Sequence, residues 1–388
     1  MSAAKNGWCL TSADYLPVQE RCRQKKWKPG TIVFPKSGES IRTNARARLA
    51  VEMVVVSHLA CINAWRFIDA DYLFWFLNVT DFEKIILQTA LPALGLGTIG
   101  ATEILVPETA EQRSIAAWLD LQTQRIDKRR ELLGKKRELL RDLRSNLISE
   151  TLASGLRGQE KALTGLSDLP ELPLGWKASH AKRLLRFITS GSRGWAEYYA
   201  NEGDFFLRIG NLTRETIELD LSDVQHVALP SKAAEGKRTR IREGDMLVSI
   251  TADLGSIAVA PKLAKPAYVN QHIALCRPKD SVHPRWLGYA MLSSQSKRQM
   301  MSSGYGGTKV QLSLGDVRNV WLAVPPLDEQ QEIATFLDRK LSQIDRQIVL
   351  INQLDDLLKQ QRKAIIYEAV TGKIDLSNYE PPAPAMAA

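Results

Sequence analysis

The chain has 388 residues, 44% of them hydrophobic, so it can bury more than one core; its formal net charge of +9 and pI near 9.3 favour an acidic partner such as nucleic acid. Its four cysteines, Cys9, Cys22, Cys61 and Cys276, lie far apart with no metal-type spacing, which fits a reducing cytoplasm. Neither a signal peptide nor an apolar run long enough to cross a bilayer can be read, which argues against a secreted or membrane-spanning chain.

Residues 1–108 predict a first, short globular domain, whose clearest pieces are Gly30-Thr31-Ile32-Val33-Phe34, Val55-Val56-Ser57-His58, Tyr72-Leu73 and Gly97-Thr98. A long helix is predicted over 109–155. Thr109 stands three residues before Gln112, the spacing of a capping box, with Pro107 upstream as a stop and Gly155 as terminator. Leu119, Ile126, Leu133, Leu140 and Leu147 recur every seven residues, the period of a coiled-coil seam. Leu132 and Leu139 widen the stripe on one side, as suits a seam that also meets a third surface.

A linker, 156–175, rich in Gly, Leu and Ser, leads to a second domain at 176–327. Period-two runs at 205–212, 245–250, 256–261, 268–278 and 320–325 predict strands, with a helical segment from Pro284 to Gln299 and a glycine-bearing loop from Ser302 to Thr308. A second long helix is predicted over 328–373, with a capping box from Asp328 to Gln331, Pro325 as upstream stop and Gly372 as terminator. Its seam is Leu337, Ile344, Ile351, Leu358 and Ile365, flanked by Leu350 and Leu357. The tail at 374–388, with its prolines and alanines, reads as disordered.

The two halves repeat. Glu329 follows Glu111 by 218 residues, and at that offset Gln112, Ile115, Ala116, Leu119, Asp120, Ile126 and Asp127 reappear as Gln330, Ile333, Ala334, Leu337, Asp338, Ile344 and Asp345 without a gap. Upstream, at an offset of 214, Gly30 to Phe34 matches Gly244-Asp245-Met246-Leu247-Val248, Val55 to His58 matches Val269-Asn270-Gln271-His272, and Tyr72-Leu73 matches Trp286-Leu287. With a small gap, Gly97-Thr98 matches Gly307-Thr308. The repeating unit is a domain followed by a helix. The first copy is shorter at its front, where nothing corresponds to Leu172-Pro173-Leu174-Gly175-Trp176 or Arg208-Ile209-Gly210-Asn211. Each helix would be about 65 Å long. Parallel pairing would force the linker back along that whole length, whereas antiparallel pairing needs no such stretch.

No phosphate-binding glycine loop ending in Gly-Lys-Ser/Thr, His-Glu-x-x-His helix or G-x-S-x-G elbow occurs. His58 and His272 recur at matching positions; each is either a histidine hydrogen-bonded beside a strand or, with Asn270 and Gln271, a donor to DNA. Ser190-Gly191-Ser192-Arg193-Gly194-Trp195 and Gly304-Tyr305-Gly306-Gly307-Thr308-Lys309 offer hydroxyls, cations and aromatic faces for phosphate and base edges, or are ordinary glycine turns. Lys36, Ser37, Arg42 and Arg46 are the corresponding candidates in the first domain, against a solvated basic face.

The motifs Leu172-Pro173-x-Gly175-Trp176, Arg208-Ile209-Gly210-Asn211, Gly244-Asp245-Met246-Leu247, Asn270-Gln271-His272-Ile273-Ala274, Gly307-Thr308 and Pro325-Pro326-Leu327-x-Glu329-Gln330-x-x-Ile333-Ala334-x-x-Leu337-Asp338, with the duplication, make the chain resemble the specificity subunit of type I restriction–modification systems. The likeness runs from about residue 28 to 376 and departs in the short first domain and in Pro107-Glu108-Thr109, where the second copy has Pro325-Pro326-Leu327. It implies an α+β fold: two α/β target-recognition domains separated by two long antiparallel coiled-coil helices, as a pseudo-twofold internal repeat. It implies a non-catalytic, cytoplasmic subunit, nucleoid-associated when bound to DNA, that reads a bipartite double-stranded DNA target. Its expected partners are methyltransferase and restriction subunits, which hold S-adenosylmethionine, ATP and Mg. The expected DNA contacts are Lys36, Ser37, Arg42, Ser192, Arg193, Arg208, Asn211, Thr251, Gln271, Tyr305, Thr308 and Lys309, with no catalytic or metal-binding residue. A rod of about 65 Å matches roughly two turns of B-DNA. Two other readings compete: a DNA-acting enzyme such as a nuclease or recombinase, and a scaffold whose heptads bind protein.

Overall fold

The computed structural model describes residues 4–5, 7–9, 25–82, 86–87, 92–191, 193–230, 234–302 and 311–380. They form two compact units, one of residues 1–137 and 349–388 and the other of residues 138–348. Helices Thr109–Ser154 and Leu327–Val370, the first and second long helices, each contribute to both.

The strands of the first unit are β1 (Ala4–Lys5), β2 (Trp8–Cys9), β3 (Lys26–Trp27), β4 (Ile32–Pro35), β5 (Ala47–Leu49), β6 (Met53–Val54), β7 (Leu59–Ile62), β8 (Ile86–Leu87) and β9 (Ala93–Leu94). Five make a sheet in the order β1-β2-β5-β4-β7, while β3 pairs with β6 and β8 with β9. Helix α1 (Ala70–Val79) starts at Asp69, whose carboxylate accepts from the amides of Asp71 and Tyr72; a short helix, α2 (Leu96–Gly100), follows β9. Tyr72, Phe74, Trp75 and Leu77 of α1 pack with Ile32 and Phe34 of β4, Ile115 and Leu119 of the first long helix, and Ile366 and Val370 of the second. Each such buried side chain contributes about 1.5–3 kcal/mol, which binds sheet and helices into one core.

In the second unit the strands are β10 (Lys161–Leu166), β11 (Leu169–Pro173), β12 (Lys177–His180), β13 (Leu185–Ser190), β14 (Tyr199–Ala200), β15 (Asp204–Leu207), β16 (Gln225–Val227), β17 (Met246–Ser249), β18 (Ile257–Val259), β19 (Ala267–Val269), β20 (Ile273–Pro278) and β21 (Trp321–Val324). Two four-stranded sheets run β13-β20-β17-β18 and β14-β16-β15-β19, with β10 paired to β11 and β12 to β21. Helix α3 (Ala181–Leu184) joins β12 to β13; α4 (Pro284–Leu292), α5 (Ser294–Ser302) and α6 (Leu314–Asn319) follow β20.

The internal repeat extends to strand register. In the first unit β4 and β7 pair Ile32 with Ile62, Val33 with Cys61, Phe34 with Ala60 and Pro35 with Leu59. In the second, β17 and β20 pair Met246 with Cys276, Leu247 with Leu275, Val248 with Ala274 and Ser249 with Ile273, each residue 214 beyond its counterpart. Gln112, fully buried, donates to the carbonyls of Phe67 and Pro107 and accepts from the Asp69 amide. Gln330 does likewise, donating to the Pro325 carbonyl and accepting from the His283 amide. These glutamines, aligned by the offset of 218, therefore tie each long helix to the start of α1 or α4.

In each unit the long helices run against one another in opposite directions. Arg130 donates to Asp355 at 2.7 Å and Arg362 lies 3.2 Å from Asp127 in the first unit; Arg144 pairs with Asp345 in the second. The pairs Asp127–Arg362 and Arg144–Asp345 are one interaction repeated at the offset of 218 with the helices exchanged. Leu119, Ile126, Leu140, Leu337, Ile344, Ile351 and Leu358 are buried and Leu133 is half-buried. At the far end of each helix the seam moves by one residue: Leu147 and Ile365 are half-buried while Ile148 and Ile366 are buried. An α-helix drifts about 20° per heptad against a strict seven-residue repeat, which accounts for the shift. Leu132, Leu139, Leu350 and Leu357, expected to widen the seam, are 53, 68, 62 and 60% exposed and stand outside it.

Other expectations need correction. The run at 268–278 is two strands in different sheets, since the backbone turns through Asn270, Gln271 and His272. The helical segment from Pro284 to Gln299 is broken at Ser293. Within the 156–175 linker, β10 and β11 form an antiparallel pair. Of the tail, Leu376 is buried, Ile374 and Tyr379 pack on the first core and the Tyr379 carbonyl accepts from Ser114, because these residues are apolar; 381–388 lie outside the described residues. Helix α2 aligns without a gap with α6, so Leu96-Gly97 corresponds to Leu314-Gly315 rather than Gly97 to Gly307. Gly155, with φ of 68°, follows the first long helix as expected, and Gly372, with φ of 72°, ends the second in a tight turn in which Lys373 donates to the Glu368 carbonyl.

Candidate nucleic-acid interface

In the second unit the carboxyl ends of β13, β15, β17 and β19 lead into neighbouring loops. Gly191 donates to the Ile273 carbonyl, and a Cβ there would lie 2.1 Å from the carbonyl oxygens of Val269 and Asn270, so only glycine lets the 191–195 loop cross that backbone. The Asn270 amide donates to the Leu207 carbonyl, joining the loop after β19 to that after β15. Ile250 donates to the His272 carbonyl, tying in the loop after β17.

A cleft of about 390 Å³ opens among Arg208, Ile209, Gly210, Asn211, Asp220, Ser222, Asp223 and Asn270. The Arg208 side chain is 41% exposed and lies 3.9 Å from Asp223, whose own side chain is 95% exposed. Ser222 donates to Asp220 through both hydroxyl and amide and holds that carboxyl below the usual carboxylate range. A cation beside acceptor-only carboxylates can contact phosphate or guanine with the first and cytosine or adenine amino groups with the second.

Asn211 is buried and its amide is fully engaged: the oxygen accepts from the Arg208 amide at 2.8 Å, and the nitrogen donates to the carbonyls of Asp220 at 2.9 Å and Asp223 at 2.8 Å. It shapes the cleft and does not face a ligand. Trp195, offered by sequence as an aromatic face, is 4% exposed and stacks on Phe206 with centroids 5.4 Å apart. Arg193 is exposed. Thr251 shares a 2.8 Å hydrogen bond with His272 Nδ1, and Gln271 Nε2 lies 3.0 Å from His272 Nε2, so the imidazole orients both polar side chains. The structure thus gathers Arg208, Thr251 and Gln271 at one loop cluster; Ser192, Tyr305, Thr308 and Lys309 lie outside the described residues.

The same frame recurs in the first unit. Lys36 donates through its amide to the His58 carbonyl, as Ile250 does to that of His272. Leu94 donates to the Lys36 carbonyl as Leu312 does to that of Ile250, and Ser37 bridges Ala93 as Thr251 bridges Gln311. Lys36 and Ser37 therefore occupy the positions of Ile250 and Thr251. Arg42 sits on an exposed helical turn, 3.0 Å from Glu39. Arg46 is 7% exposed, donates to the carbonyls of Asn44 and Thr80 and lies over Phe82; burial lowers its pKa to about 10. It is part of the core. Sequence reasoning missed Asp220, Ser222 and Asp223, for which the only signal is the short polar group Ser222-Asp223 and Asp220 among alternating apolar residues. Among the described residues no group of three His, Cys, Asp or Glu side chains could hold a metal ion, and no helix is long and apolar enough to cross a membrane.

Residues 200–360 match the family described as type I restriction modification DNA specificity domain. The specificity subunit of the type I restriction enzyme EcoKI from Escherichia coli K12 is 26% identical over 228 residues, which cover 54% of this chain and 46% of that protein. The StySPI specificity subunit of Salmonella potsdam is 23% identical over 53% of this chain and 44% of its own length, and the EcoBI specificity subunit of Escherichia coli 21% over 71% and 59%. The chain thus spans about half the length of the curated relatives it matches. Among solved structures, a chain from work on complex assembly and conformational transition of the type I restriction–modification system superposes with a TM-score of 0.73 at 20% identity, over 96% of this chain and 90% of that one. The HsdS subunit from Thermoanaerobacter tengcongensis gives 0.50 at 22% identity, over 96% and 89%. The fold is that of these mixed α/β chains, and in sequence the chain is similar to specificity subunits of type I restriction–modification systems.

Proposed function

We propose that this chain is the non-catalytic DNA sequence-recognition subunit of a type I restriction–modification complex, acting in the cytoplasm and on the nucleoid when bound to DNA. Each unit acts as a target-recognition domain, the paired long helices separate the two as a pseudo-twofold repeat, and the target is bipartite double-stranded DNA. The observation that carries this reading is one backbone frame, with His58 and His272 at the same place in it, that bears Lys36 and Ser37 in one unit and Ile250 and Thr251 in the other. Two unlike surfaces on one frame suit two unlike half-sites. Methyltransferase and restriction subunits complete the complex and bind S-adenosylmethionine, ATP and Mg; this chain needs no cofactor. Leu132, Leu350, Leu354 and Leu357 in the first unit, and Leu139 and Leu143 in the second, are between 46 and 68% exposed and offer the long helices' apolar contact to those partners.

The test replaces residues 176–325 by those of a relative and maps methylated sites by single-molecule sequencing in cells carrying the partner subunits. One half of the site should change and the other stay. Change in both halves or in neither overturns the proposal, and DNA affinity should fall with added salt as phosphate contacts release counterions.

A further inference from the structure

One device recurs at the same place in both units. Beyond β17 the Ile250 carbonyl accepts from the Leu312 amide, Thr251 bridges Gln311, and Ala252 follows with φ of 58°. Beyond β4 the Lys36 carbonyl accepts from the Leu94 amide, Ser37 bridges Ala93, and Gly38 follows with φ of 80°. Ile250, Thr251, Ala252 and His272 each lie 214 residues after Lys36, Ser37, Gly38 and His58. Glycine takes the left-handed backbone freely; alanine is held in it only where the surroundings impose it, a kind of strain that collects at binding sites.

In the second unit a histidine sets the hydroxyl of this device. Gln271 Nε2 lies 3.0 Å from His272 Nε2, Thr251 Oγ1 lies 2.8 Å from His272 Nδ1, and the His272 amide donates to Asn270 Oδ1 at 3.1 Å. An amide nitrogen only donates, so Nε2 accepts, the ring proton sits on Nδ1, and Thr251 Oγ1 accepts it. The Thr251 hydroxyl then turns its own proton away from the ring, as a donor. Phosphate oxygens are acceptors, whereas base edges mix donors with acceptors. Hydroxyl and imidazole are kept between two units whose adjoining side chains differ: Lys36 against Ile250, Val56 against Asn270, Ser57 against Gln271. What two readers of unlike sequences can share is a contact to the phosphates that every duplex presents.

We infer that Thr251, set by His272, donates to a DNA phosphate, and that Ser37 is its counterpart in the first unit; both anchor their unit on the duplex without reading its sequence. The inference rests on the DNA-recognition function proposed above. His272 acts through Thr251 and is a positioning residue.

The test uses the chain in complex with its methyltransferase subunits, a duplex carrying the mapped site and one whose second half-site is scrambled. Thr251→Val keeps the shape and removes the hydroxyl; it should weaken binding to both duplexes about tenfold, the loss expected for one hydrogen bond to a charged group. The sequence methylated in cells should stay as it was. His272→Phe should do the same, the double variant should lose no more, and Thr251→Ser should keep the original affinity. Ser37→Ala should repeat the uniform loss. Single methylphosphonates along the second half-site give a readout on the unaltered chain: at one position the uncharged group should weaken its binding by the same tenfold yet leave that of Thr251→Val unchanged. Original affinity in Thr251→Val, a changed base in the sequence methylated by either hydroxyl variant, or losses that add at every methylphosphonate would overturn the inference. An unaltered complex that binds neither duplex would instead overturn the DNA-recognition function itself.

Discussion

Asp120 and Asp338 occupy one repeat position, yet the two units satisfy them from different elements. In the first unit Arg48 reaches out of β5, fully buried, donating to Asp120 at 2.9 Å and Asp71 at 2.7 Å and lying over Trp8 and Phe74, while Trp75 Nε1 also donates to Asp120 at 3.1 Å. In the second, Arg285 comes from α4, 32% exposed, and contacts Asp338 with two nitrogens at 2.8 Å while Tyr289, 214 residues after Trp75, donates its hydroxyl. A carboxylate on each long helix and an aromatic donor one element away have been kept, and the arginine has moved from strand to helix. The repeat therefore preserves the electrostatic joint without preserving the residues that make it.

The strongest way to sharpen that comparison is to remove each arginine. Arg48→Ala removes a fully buried side chain that packs on Trp8 and Phe74 and takes the donor from Asp71 and Asp120, and should cost the first unit about 3–5 kcal/mol, whereas Arg285→Ala, facing solvent, should cost the second about 1–2 kcal/mol. Urea unfolding followed by hydrogen exchange in α1 and α4 separates the two, and equal costs would undo the distinction between buried and half-exposed joints.

The long helices allow a second contrast. Ile351→Asp places a charge in the seam, where Ile351 is 6% exposed, and should destabilise the first unit by about 3 kcal/mol. Leu350→Asp, one residue away at 62% exposure, should leave stability within about 0.5 kcal/mol yet reduce co-elution with the methyltransferase subunit on gel filtration. Retained co-elution would remove the exposed leucines from the docking surface.

The smallest expected effect concerns pH. Asp69 caps α1, and at the matching position His283 caps α4, its Nδ1 accepting from the Trp286 amide at 3.4 Å. Burial, with Arg285 assisting, holds the His283 pKa below its ordinary value of 6.5 against the opposing pull of Asp338. Because the unfolded chain then takes up the proton more readily, this contribution is present above pH 6.5 and is lost as pH falls below it towards the lowered folded value. The α4 amides should lose protection, measured against the intrinsic exchange rate, as pH falls from 6.5 to 5, more than those of α1 do, and His283→Asp should abolish the difference. An unchanged pH response in His283→Asp would locate the titration elsewhere.

Much of this plan was legible in the chain itself. Heptads mark Leu119, Ile126, Leu337 and Ile344, and offsets of 218 and 214 align the two halves, because periodicity along a helix or strand states which side is apolar. The candidate interface was legible in part: Arg208, Thr251 and Gln271 come together, but Asn211, Trp195 and Arg46 turned inward. Nothing in a residue type distinguishes an amide that faces solvent from one that closes a loop, as Asn211 does between Arg208 and Asp223.

By itself the sequence determined the internal repeat and the buried positions along the long helices, since both depend on spacing along the chain. Only the tertiary structure decided which arginine meets Asp120 or Asp338, where 268–278 leaves one sheet for another, and where the seam passes from Leu147 to Ile148. Those outcomes depend on distances between residues far apart in sequence, and only packing sets them.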